Sequence, residues 1–272
     1  MRRTMATTPD TDPIVILSYA RTPMGSFQGA LSPLSATELG AAAVKAAVER
    51  AGIAGEQVDK VFMGNVLPAG LGQAPARQAA LGAGLPRSAE AVTVNKVCGS
   101  GMQAAIFAHD MLKVGSADVI VAGGMESMSN APYLSKKYRS GARIGHDVIS
   151  DSMYLDGLED AYTPGKLMGQ FAEDTAKVYQ FTREQQDAYA IESAGRAKRA
   201  QDSGAFDAEI APITVTMGTA DAKLGLRTRQ VTVKADEGLR PGTTYEGIQG
   251  IRPALPGGVV TAGNASQFSD GA

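Results

Sequence analysis

The chain has 272 residues, 44% of them apolar and 20% charged, an ordinary globular composition rather than that of a disordered chain. A net charge of −2 gives no global reason to expect nucleic acid as a partner. One cysteine excludes an intrachain disulfide framework and fits a reducing compartment, and no apolar run is long enough to span a membrane. In the leader Met1–Pro13, Arg2 and Arg3 are soon followed by Asp10 and Asp12, and the apolar core of a secretion signal is missing. Residues 1–12 therefore read as a flexible tail, and the protein as cytoplasmic.

In chain order, Ile14–Tyr19 is short and apolar enough for a buried central strand. Ser35–Gly52 reads as a helix, with Thr37 as its start and Gly52 as its stop. Val58–Val66 is a second strand, and Pro75-Ala76-Arg77-Gln78 opens a short Ala-rich helix before Gly82 and Gly84. Strand Val92–Asn95, helix Cys98–Val114 and strand Asp118–Ala122 complete a β-α-β-α-β-α-β alternation. That pattern predicts an α/β fold whose mainly parallel sheet is packed between helices. After Gly123-Gly124 the chain turns rich in Ser, Met, Gly and charge, and Met125–Asp160 reads as a surface excursion. Thr182–Gln201 is a helix opened by a Thr182/Gln185 capping box. Ile210–Met217 and Gln230–Val233 follow as strands, and Val259–Ala262 returns to strand character. One sheet-centred domain, 13–124 and 256–272, with an insertion over 125–255, fits this order better than two independent domains.

The single cysteine, Cys98, falls where strand becomes helix. Unpaired N–H groups and the positive end of the helix dipole favour negative charge there. Gly99, Ser100 and Gly101 keep bulk away, so a bulky group can reach the sulfur. Serine hydrolases use the same strand–nucleophile–helix turn.

Val97-Cys98-Gly99-Ser100-Gly101-Met102-Gln103-Ala104 resembles the nucleophile motif of thiolases, the acetyl-CoA acetyltransferase and 3-ketoacyl-CoA thiolase family. Gly64-Asn65-Val66, Pro75-Ala76-Arg77-Gln78, Gly123-Gly124-Met125-Glu126-Ser127-Met128-Ser129 and Thr261-Ala262-Gly263-Asn264-Ala265-Ser266 resemble the same family in the same order. The resemblance runs from about Pro13 to Ala272 and implies a thiolase-like N-terminal domain with an inserted α+β loop domain.

It also implies acyl transfer between CoA thioesters. Cys98 attacks one acyl-CoA, and a second acyl-CoA then condenses with the acyl-enzyme, or a 3-ketoacyl-CoA is cleaved in reverse. The N–H of Cys98 would serve as an oxyanion donor. Carried over by position, Leu158, Met168, Arg240, Ala262, Ala265 and Ser266 contact CoA. Arg240 would attract the nucleotide end, and Leu158 and Met168 would line an apolar channel. CoA and acyl-CoA are then the partners, as substrates, with no permanently bound cofactor, no metal, no nucleic acid and no membrane. The resemblance further implies a homodimer or homotetramer.

Leu167 stands where many biosynthetic thiolases carry a histidine, which admits longer or degradative substrates. Gly247 replaces a serine that touches CoA in the family. The family's second half supplies a His, an Asn and a second Cys, the acid/base, in motifs that these residues do not contain. His109 lies eleven residues beyond Cys98, about 16 Å along a helix, and His146 falls in the insertion. The expectation is therefore a nucleophile without its acid/base apparatus, with helix faces left open to association. The alternative to an acyltransferase is an incomplete fragment or acyl-CoA-binding subunit that needs a partner chain. A ketoacyl-synthase-type enzyme fits less well, because Val97-Cys98-Gly99-Ser100 and the long insertion resemble thiolases more.

Overall fold

The computed structural model describes residues 14–223, 225–240 and 242–272; the leader read as a tail, 1–12, lies outside them. Among the described residues, the order begins with β1 (Gly25–Ser26), α1 (Ala36–Ala51), β2 (Lys60–Gly64) and α2 (Pro75–Gly82). β3 (Glu90–Val94), α3 (Ser100–Lys113), β4 (Ile120–Gly124), β5 (Glu126–Ser127), β6 (Tyr133–Ser135) and β7 (Ile149–Asp151) follow. A π-type turn over Met153–Leu158 leads to α4 (Met168–Tyr179) and α5 (Arg183–Asp202). The chain then runs through β8 (Ile213–Asp221), β9 (Gly225–Val233), α6 (Tyr245–Gln249) and β10 (Ser269–Gly271).

The sheet that carries the site is parallel, in the order β3-β2-β4. Because the two crossovers step to opposite sides of β2, right-handedness sends their helices to opposite faces. Val61 and Met63 pack with Val44, Val48 and Ala79 under α1 and α2, while Phe62 packs with Ala104 and Ala108 of α3. β2 is thus apolar on both faces, as a central parallel strand must be. α1 begins at a full capping box: Ser35 Oγ accepts from the Glu38 N–H, and the Glu38 carboxylate accepts from the Ser35 N–H. The cap is therefore Ser35 and not Thr37, which sits buried in the first turn. Gly52 ends the helix at φ +68°, a left-handed conformation that glycine adopts without strain.

Three expected elements differ. Ile14–Tyr19 forms no strand, and Val15, Ile16 and Leu17 are exposed. A strand needs a neighbour for its N–H and C=O groups. The antiparallel ladder of β1 and β10 reaches only Thr22, whose N–H meets the Ala272 carbonyl at 2.9 Å. Val259–Ala262 is not a strand either, because side chains claim its backbone. Glu173 accepts from the N–H groups of Val259 and Val260, and Asn264 Oδ1 from that of Thr261. The strand of this region lies later, at β10. Third, α3 begins at Ser100, so Cys98 stands just outside the helix. α5 and its Thr182/Gln185 cap match the expectation, while α4 was not foreseen.

β8 and β9 form a nine-pair antiparallel hairpin that places Val215 and Val233 against Leu31 and Leu39. Arg21 ties the chain before β1 to this region. Its Nε donates to Glu209 at 2.7 Å, and its other two nitrogens donate to the two oxygens of Asp236 at 2.7 and 3.0 Å. No helix among the described residues is long and apolar enough to cross a membrane.

Candidate active site

The C-terminal ends of β2, β3 and β4 bring the motif segments that begin at Gly64, Val97 and Gly123 to one end of the sheet. Close approach there depends on glycine. A Cβ on Gly64 would lie 2.6 Å from the backbone nitrogen of Gly101 and 2.7 Å from Ser100. A Cβ on Gly124 would lie 3.5 Å from the Gly101 Cα, an ordinary contact, so the requirement for glycine falls on Gly64. The first turn of α3 therefore seats directly on the strand ends and fixes where the residues before it can lie.

Those residues make a tight, strained turn. Val97 has φ +49°, and a β-branched side chain in that region costs about 1–3 kcal/mol. Its N–H donates to Asn95 Oδ1 at 3.0 Å, and its carbonyl accepts from Ser100 Oγ at 2.5 Å. Cys98 follows, exposed, between the strained residue and the helix.

Below it, Glu126 organises the end of β2. One carboxylate oxygen accepts from Asn65 Nδ2 at 2.6 Å and the Leu67 N–H at 3.0 Å, the other from the Val66 N–H at 2.8 Å. Burial pushes the Glu126 carboxyl above its ordinary range and outweighs the two backbone donors that work the other way. Asn95 Nδ2 reaches the Val66 carbonyl at 3.5 Å, linking this loop to the cysteine turn.

Leu158 is half-buried at the end of the π-type turn, whose Gly157 faces the side chains of Leu67 and Val66. Met168 is 43% exposed at the start of α4. An antiparallel bridge between Glu159 and Leu167 draws the neighbouring Leu158 and Met168 toward each other. Ala262, Ala265 and Ser266 share one exposed turn. Arg240 is exposed on another segment, tethered nearby where Gln267 Nε2 donates to the Gly238 carbonyl at 2.8 Å. A cleft of about 430 Å³ between α4 and residues 255–259 contains none of these side chains, so its size does not mark the chemistry. His109 is exposed on α3 beside Asp110, and His146 lies exposed in the loop between β6 and β7.

Sequence reasoning missed the residues that hold the 261–266 turn. Asn264 Nδ2 donates to Asp187 at 2.9 Å and to the Val259 carbonyl at 3.0 Å. Asp187, fully buried, is paired with Arg183 at 2.7 Å, and Arg183 also donates to the carbonyls of Ile248 and Ile251. α5 thus anchors two turns at once. Asn264 lay inside a recognised motif, but nothing local announces Asp187, which acts 77 residues away.

The family described as "Thiolase, N-terminal domain" matches residues 14–272. The chain is 46% identical over 260 residues to an acetyl-CoA acetyltransferase of Cupriavidus necator, covering 95% of this chain and 64% of that protein. It is 50% identical over 262 residues to acetyl-CoA acetyltransferase 2 of Arabidopsis thaliana, covering 95% and 62%. The crystal structure of the Bacillus anthracis acetyl-CoA acetyltransferase superposes with a TM-score of 0.88 at 38% identity, covering 94% of this chain and 63% of that one. The chain thus spans less than two thirds of the length of these relatives. Through the domain it shares with them, this α/β chain belongs to the thiolase family.

Proposed function

We propose that this chain carries acyl transfer between CoA thioesters, with Cys98 as the nucleophile. The observation that carries the reading is the placement of the one cysteine: exposed, after a strained residue, at the threshold of a helix seated on glycine. The relatives' names, acetyl-CoA acetyltransferases, supply the substrate class. In the first half-reaction the Cys98 sulfur attacks the thioester carbonyl, CoA leaves as the thiol, and the acyl group rests on sulfur. The Cys98 N–H donates to the oxyanion that forms on the way. The second half-reaction, condensation with another acyl-CoA, needs a base to take a carbon-bound proton. We assign that base to no residue of this chain.

Segment 125–255 would cover the CoA arm, with Leu158 and Met168 along its apolar part and Arg240 toward the nucleotide end. Ala262, Ala265 and Ser266 would border it from the turn that Asn264 holds. The exposed Met102, Ile106 and Phe107 of α3 support a homo-oligomer, and the single cysteine supports a reducing compartment such as the cytoplasm. The test is isotope exchange between acetyl-CoA and labelled free CoA, which requires acylation and deacylation alone. Exchange that disappears in Cys98→Ala supports the proposal. Its absence from the unaltered chain favours an acyl-CoA-binding role with a partner chain, and its persistence in Cys98→Ala removes Cys98 from the chemistry.

A further inference from the structure

We infer that Asn95 and Ser100 are positioning residues that together hold Val97 in its left-handed turn and so set the direction in which Cys98 presents its thiol. The functional meaning rests on the acyl-transfer reading; the turn itself rests on geometry. Among the described residues, four that are not glycine have positive φ, and of these only Val97 is β-branched. Such a residue keeps that conformation only where its surroundings over-determine it. Here both peptide groups of Val97 are tied. Asn95 Oδ1 takes its N–H at 3.0 Å, and its carbonyl accepts from Ser100 Oγ at 2.5 Å as well as from the Ser100 N–H at 3.1 Å. The same Ser100 Oγ accepts from the Lys96 N–H at 2.8 Å, closing the turn from the other side.

The two ties lead to rigid elements. Asn95 directly follows the end of β3, and its Nδ2 reaches the Val66 carbonyl at 3.5 Å. Ser100 is 4% exposed and begins α3, against Gly64. Cys98 stands between the anchors. If Val97 relaxed to negative φ, its carbonyl, the Cys98 N–H and the Cys98 side chain would all rotate with it. A glycine in place of Val97 would adopt the turn without help, because a left-handed conformation costs it nothing.

The test uses the 272-residue chain and single-turnover acetylation of Cys98, followed by intact mass across a range of acetyl-CoA concentrations. In Ser100→Ala and in Asn95→Ala the limiting rate should fall about tenfold to a hundredfold, with the half-saturating concentration nearly unchanged. In the double variant that combines Val97→Gly with Ser100→Ala, most of that loss should be absent relative to Val97→Gly alone. A side chain that served only packing would give the same factor in both backgrounds. An unchanged limiting rate in Ser100→Ala, or an undiminished factor in the Val97→Gly background, overturns the inference. Alkylation of the one thiol by iodoacetamide runs in parallel. If the unaltered chain takes no acetyl group, the acyl-transfer reading fails, while the same pattern of slowing and rescue in alkylation still decides the turn.

Discussion

Replacing Gly64 with alanine perturbs the contact on which the site is built. The new Cβ would stand 2.6 Å from the Gly101 nitrogen and 2.7 Å from Ser100, against 3.4–4 Å for ordinary contact. The obstacle is backbone, so no side-chain rotation relieves it. The first turn of α3 must retreat from β2 by roughly 1 Å. Overpacking of this kind costs about 1–3 kcal/mol, and for a chain of this size each kcal/mol lowers Tm by about 2–4 °C. The same displacement carries Cys98, so its acetylation by acetyl-CoA should slow by about a hundredfold. Thermal unfolding and mass-detected acetylation read the two effects separately. Gly250→Ala is the control, since a Cβ there meets nothing within 4 Å; its effect should stay within about 0.5 kcal/mol. A Gly64→Ala chain that melts and acetylates like the unaltered one would refute the seating argument.

Three further outcomes follow from the ties described above. For Asp236, burial works to raise the carboxyl, but the Arg21 pair and the Met24 N–H outweigh it and hold it below its ordinary value. Its stabilisation is therefore present above the unfolded-state value of about 3.9 and lost as pH falls through the lowered one. Asp236→Asn should cost about 1–3 kcal/mol at neutral pH and flatten the loss of stability in acid, read from urea midpoints between about pH 3 and 7. A variant with an unchanged acid profile would contradict it. Glu173→Ala removes the acceptor for the N–H groups of Val259 and Val260, and their hydrogen exchange should accelerate while that of Val61 does not. Asn264→Ala strips buried Asp187 of a donor at a cost of about 1–3 kcal/mol, and by loosening the 261–266 turn it should weaken CoA binding measured by calorimetry. Unaltered affinity would detach that turn from CoA.

What could be read from the residues depended on whether an element's partners lay close in sequence. α1 was legible from its helix-forming residues between Ser35 and Gly52 and from its glycine stop, although Thr37 was the wrong choice of start and the Ser35/Glu38 capping box went unread. β2, β3 and β4 were recognisable as short β-branched or apolar runs set off by glycines and helices. Ile14–Tyr19 has the same composition but belongs to no strand among the described residues, and composition does not reveal a neighbour. Val259–Ala262 misled for the opposite reason, since the Glu173 carboxylate, 86 residues away, takes the bonds a strand would have used. α4 escaped notice because it opens on Leu167, which has no hydroxyl to match Thr182 of α5, although Gln170 accepts from the Leu167 N–H at 2.6 Å as Gln185 does from that of Thr182. At the site, Cys98 could be singled out as the one thiol at a strand-to-helix junction. The strain at Val97 and the ties from Asn95, Ser100 and Glu126 are tertiary facts that needed coordinates.

In the proposed chemistry Cys98 accepts an acyl group from acyl-CoA. Incubating the chain with acetyl-CoA, trapping in acid and mapping peptides by mass spectrometry tests it most directly. One acetyl group per chain is expected, carried by the peptide containing Cys98, removed by added free CoA and absent from Cys98→Ala. A chain that stays unmodified, or one acetylated at a lysine with Cys98 free, would contradict it.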